Sequence, residues 1–75
     1  MIQVFETIFN ADGEMLKRDP IVLVFSDRDT AALFLQTHLR KSFADGRSGY
    51  HESDDYWWGC NDGPDLQIYR YTIEQ

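Results

Sequence analysis

The chain has 75 residues, with 13 Asp and Glu against 7 Lys and Arg, a formal net charge of −6 and a pI near 4.5. A surface of that sign repels phosphate backbones, which argues against direct nucleic-acid binding, while 43% hydrophobic residues is too many for a disordered acidic tail. A single cysteine permits no internal disulfide and suits a reducing compartment, so a core this small is expected to rely on its 15% aromatic residues or on self-association.

Residues 2–9 alternate imperfectly, as a strand does. Ile2, Val4 and Ile8 share one face with Glu6, and Phe5 and Phe9 share the other with Gln3 and Thr7. "NADG" follows, where Gly13 can take the positive φ of a tight hairpin. The chain returns through "EMLKR" to Pro20, which cannot donate to a ladder and therefore marks a bulge, an edge or the start of a new strand. "IVLVF", residues 21–25, is apolar throughout, the pattern of a strand covered on both sides.

"SDRD" predicts a helix start with Ser26 as N-cap and Asp29 closing an approximate capping box. Asp27 and Asp29 suit the positive end of the helix dipole, and Arg40 and Lys41 suit the negative end. Ala31, Ala32, Leu35, Leu39 and Phe43 make one apolar face, flanked by Phe34 and His38. Gln36, Thr37, Arg40 and Lys41 lie opposite with Leu33 among them, and Gly46 is expected to stop the helix in a left-handed conformation.

"GRSG" reads as a loop, residues 50–60 as an extended segment, "NDGP" as a turn and residues 66–73 as the last strand. There Tyr69, Tyr71 and Ile73 share one face, and Leu66, Ile68, Arg70 and Thr72 share the other. The expected fold is α+β over residues 1–75: a four-stranded, mainly antiparallel sheet in the order β-β-α-β-β, with one helix on one face. No apolar run approaches the ~18 residues of a membrane helix. "MIQVFETIFN" lacks a basic signal-peptide start, so a cytoplasmic setting without membrane contact is expected.

One helix covers one sheet face. If Ile2, Val4, Ile8, Leu66 and Ile68 turn toward it, Phe5, Phe9, Tyr69 and Tyr71 turn away. Trp57 and Trp58 are adjacent, so a regular strand points one of them to the helix-free side. An aromatic face of that kind exceeds what a small monomer leaves exposed and reads as a docking surface. Its expected contact residues are Trp57, Trp58, Tyr69 and Tyr71, with Phe5 in support.

Other chemistry is poorly served by spacing. His51, Glu52, Asp54, Asp55 and Cys60 are all potential ligands, but no CxxC, HxxxH or calcium-loop pattern occurs. Cys60 with His38 or His51 would make a thiolate–imidazole pair only if the fold joined them. No Gly-rich phosphate loop is present, and no metal or cofactor is expected. The function expected is therefore a non-enzymatic interaction domain, a homodimer or one that docks a protein partner. The first alternative is an acidic antagonist of a nucleic-acid-binding protein acting through Glu52, Asp54 and Asp55; the second is a metal-binding or thiol enzyme using His51 and Cys60.

Overall fold

A computed structural model describes residues 2–61 and 66–74. The elements run β1 (Ile2–Asn10), β2 (Met15–Phe25), α1 (Arg28–Ser42), β3 (Arg47–His51), β4 (Tyr56–Cys60) and β5 (Gln67–Glu74). The strands form one sheet in the order β2-β1-β5-β4-β3, with every neighbouring pair antiparallel. The α+β class with one helix on a mainly antiparallel sheet is as expected. The four-stranded β-β-α-β-β order is not, because five strands are described.

The extra strand arises because the segment expected to be extended over residues 50–60 is broken by a turn at 52–55, and residues 47–49 of "GRSG", expected as a loop, join Tyr50 and His51 in β3. Residues 47–51 pair in continuous register with β4, from Arg47 opposite Cys60 to His51 opposite Tyr56. Gly49 does not mark a turn here; it makes room for an indole. A Cβ at Gly49 would stand 3.1 Å from the Trp58 ring atoms Cζ2 and Nε1. Glycine in a strand often signals such a close approach and not a break.

Gly13 takes its predicted positive φ, 87°, in the β1–β2 hairpin, where the Asn10 side chain accepts from the N–H groups of Asp12 and Glu14. β2 runs through Pro20 without a break. It is an edge strand, and its register against β1 shifts between Gln3 and Phe5, so the proline sits at an edge beside a bulge. Of the turn expected at "NDGP", residues 61–64, all but Asn61 lie outside the described residues.

The helix starts one residue later than Ser26 would place it. Asp27 is the N-cap, and its carboxylate accepts from the Thr30 N–H at 2.8 Å and from Thr30 Oγ1 at 2.9 Å. Those bonds to Thr30 hold the Asp27 carboxyl below the usual carboxylate range. At the other end Phe43 is the C-cap, its N–H donating to the Leu39 carbonyl. Gly46 is not the left-handed stop that was expected, since Gly13 is the glycine with positive φ among the described residues.

Ala31, Leu35, Leu39 and Phe43 of α1 bury against Ile2, Val4, Trp57 and Tyr71 of the sheet. Phe43 fits because β4 has a glycine beneath it: a Cβ at Gly59 would lie 2.4 Å from the Phe43 ring. Register decides the rest. Val4 opposes Ile73, Glu6 opposes Tyr71, Ile8 opposes Tyr69, and Tyr71 opposes Trp57. Directly opposed residues share a face. Tyr69, Tyr71 and Trp57 therefore face the helix, and Ile68 joins Phe9 on the other side, the reverse of the expected arrangement of β5. Parity within β5 gives its two faces, but only pairing with β1 decides which of them lies under α1.

Candidate docking surface

Alternate residues of all five strands build the helix-free face. β1 supplies Phe5, Thr7 and Phe9; β5 supplies Ile68, Arg70 and Thr72; β4 supplies Tyr56 and Trp58; and β2 supplies Arg18. The aromatics are present, but they are not bare. The Arg18 guanidinium lies 4.4 Å from the Phe5 ring centre, and that of Arg70 lies 4.8 Å from Phe9 and 4.2 Å from Tyr56. The row continues outward, because His51 stacks on Tyr56 at 4.9 Å with ring planes 3° apart. A guanidinium over an aromatic ring is worth about 0.5–2 kcal/mol, depending on how dry the site is.

Thr7 opposes Arg18 on one side and Arg70 on the other, and it is only 8% exposed. The two arginines thus roof a threonine that sequence alone would leave in water. Their electrostatic situations differ. Arg18 is bonded to Glu74, which also accepts from the Thr72 hydroxyl. Arg70 has no ion pair among the described residues, and its Nε is buried without a hydrogen-bond partner. An unsatisfied buried donor on a charged group costs roughly 1–3 kcal/mol.

The predicted contact residues divide. Phe5 and Trp58 lie on the helix-free face; Trp57, Tyr69 and Tyr71 lie on the helix side. Trp57 and Tyr71 are 6% and 2% exposed, so both belong to the core. The Tyr71 hydroxyl is accounted for inside it. Tyr71 Oη donates to Glu6 Oε2 at 2.6 Å and stands 3.4 Å from Nε2 of His38, whose ring stacks on Phe34. Burial, reinforced by the bond to Glu6, pushes the Tyr71 hydroxyl far above its ordinary value. Phe9 lies on the helix-free face as expected but was not among the expected contact residues, and Tyr56, Arg18 and Arg70 were missed as surface residues. The signal for Arg70 was its place in the alternation, opposite in parity to Tyr69 and Tyr71.

The reactive residues of the alternative readings are not joined. His51 and Cys60 stand at opposite ends of the β3–β4 hairpin, with four residues of strand, about 13 Å, between their levels. No group of three His, Cys, Asp or Glu side chains converges as a metal site among the described residues. Asp55, with φ 54°, accepts from Tyr50 Oη at 2.7 Å and from the Arg28 guanidinium, clamping the β3–β4 turn to the start of α1. The Tyr50 bond is the main cause of a lowered Asp55 carboxyl, and the Asp55 bond raises both Arg28 and the Tyr50 hydroxyl. Asp54 is 3.5 Å from His51 Nδ1. Of the acidic run, two of the three carboxylates singled out by sequence are thus beside basic or donor groups of the same chain.

No protein-family model, curated protein or solved structure matches this chain.

Proposed function

We propose that the protein is a non-catalytic interaction domain that docks an acidic segment of a protein partner on the helix-free face of its sheet. The observation that carries this reading is Arg70. It lies at the centre of the face between Phe9 and Tyr56, without a carboxylate partner among the described residues. The face also holds Arg18 and, by register with Cys60, Arg47, so it gathers three of the chain's seven basic residues in a protein of net charge −6. Arginine flanked by aromatics is the composition that dominates interface energies, and guanidinium groups bind carboxylates in paired geometry. A two-fold dimer through this face would bring both copies' arginines into one interface, which favours a different protein over a second copy.

Photo-crosslinking in cells that express the protein tests the reading, with a photoreactive residue at Phe5 or Trp58 and, as control, at the exposed Leu33 of α1. The expected result is a discrete adduct with a protein from the Phe5 and Trp58 positions that Arg70→Glu abolishes. Equal adducts from Leu33, or none from the sheet positions, would overturn it. Sedimentation velocity across a concentration range separates a self-adduct from a heterologous one.

A further inference from the structure

The two edges of the sheet are built differently. β2 is blunted in the ways that discourage strand addition: it contains Pro20, a bulge and the charged Lys17 and Asp19. β3 has neither a proline nor a bulge, and its charged residue, Arg47, stands at its very start. It reads "RSGYH", contains no proline or lysine, and is unbroken in register against β4, so its outer backbone groups form a regular row without a neighbouring strand. The helix makes its main contacts with β1, β2, β4 and β5, leaving a gap on the β3 side.

A cleft of about 180 Å³ fills that gap. Leu39 and Trp57 form its floor, Gln36 and Arg40 the helix wall, and Ser48 and Tyr50 the strand wall. Arg40 is its one charged lining residue, and it has no ion pair among the described residues. An edge strand, a groove between that strand and a helix, and an apolar floor are the components of peptide recognition by strand addition. In that mode backbone pairing supplies affinity, and alternate side chains entering pockets supply selectivity.

We propose that β3 accepts an extended peptide segment of a partner protein as a sixth strand, with one inward side chain over Leu39 and Trp57 and a carboxylate on Arg40. The carboxylate follows from charge complementarity, since Arg40, Gln36 and Ser48 all offer donors and no acid among the described residues lines the cleft. A second copy pairing β3 to β3 would bring two chains of charge −6 together. A segment with a single carboxylate carries no such penalty. This site is separate from the helix-free face, and the two readings stand or fall independently.

The probe is a blocked seven-residue peptide alternating Thr and Val around a central Glu, titrated into the ¹⁵N-labelled protein. The expected result is saturable shifts and slowed hydrogen exchange at the amides of residues 47–51. Methylating alternate peptide nitrogens should weaken binding at least tenfold, as should Arg40→Glu, which changes an exposed residue and leaves the fold intact. Arg70→Met, on the other face, should leave peptide affinity within twofold. No shifts at millimolar peptide, unaltered binding of the N-methylated peptide, or shifts confined to Phe5, Trp58 and Arg70 would each overturn the proposal. Concentration-dependent protection of residues 47–51 without peptide would overturn it in favour of self-pairing.

Discussion

Tyr71→Phe removes one oxygen from the most enclosed aromatic side chain of the sheet and leaves the ring in place. The hydroxyl donates to Glu6 Oε2 at 2.6 Å, and the residue is 2% exposed. A hydrogen bond to a charged group contributes about 1.5–3 kcal/mol, and Glu6 would keep its part-buried carboxylate without that donor. Ring packing against Trp57 and His38 is unchanged, so the expected loss is about 2 kcal/mol with no large cavity term. A domain of this size has roughly 4–11 kcal/mol in hand, so the variant still folds. Its midpoint of thermal unfolding should drop by about 8–16 °C.

Urea titration followed by Trp fluorescence and far-UV circular dichroism measures the loss. A double-mutant cycle with Glu6→Gln then isolates the pair, with an expected coupling of about 1 kcal/mol or more. If each single variant lost less than about 0.5 kcal/mol and the two added simply, the hydrogen bond would not be what holds this polar group in the core, and the reasoning would fail.

Gly59→Val should destabilise by about 1–3 kcal/mol by forcing Phe43 aside, and Phe43→Leu should recover part of that loss in the double variant, read by urea midpoint. Asp27 and Asp55 both have lowered carboxyl pKa values, so their contributions are full above the unfolded value of 3.8 and fade as pH falls through the lower folded values. Thermal midpoints measured from pH 6 to pH 2 should fall less steeply in Asp27→Asn and Asp55→Asn than in the parent. At high pH the sign reverses: Tyr71 keeps its proton when folded, so stability should decline once pH passes the ordinary tyrosine value near 10, with phenolate absorbance rising together with unfolding. Arg70→Met should cost little stability, or add some, because it replaces a guanidinium with an unpaired buried nitrogen by an apolar side chain of similar length.

Local chemistry was legible where a signal lay within a few residues. The Gly13 hairpin turn and the apolar face from Ala31 to Phe43 follow from single residues and short periods. Pro20, by contrast, left an edge as one of three readings, and the apolar run at 21–25 pointed to a strand covered on both sides, which the edge strand β2 with its exposed Val24 is not. The N-cap moved from Ser26 to Asp27, a choice between adjacent residues of similar capping ability, settled by which oxygen reaches the Thr30 N–H. "GRSG" misled because glycine signals both turns and close approaches, and its partner Trp58 lies nine residues beyond Gly49.

The candidate site was half legible for the same reason. Adjacency alone required Trp57 and Trp58 to point to opposite sides, and they do. Alternation alone placed Tyr69 with Tyr71 and Arg70 opposite them. Which set lies under the helix is a nonlocal fact, fixed by the pairing of β5 with β1 that sets Tyr71 against Glu6 and Arg70 against Thr7. Sequence by itself determined an α+β chain with one amphipathic helix and strands of known internal parity, because those patterns depend on neighbours two to four residues apart. Tertiary structure alone decided that the tyrosines go inward and the arginines roof the free face. A side-chain period of two leaves each strand with two equivalent orientations until another strand chooses between them.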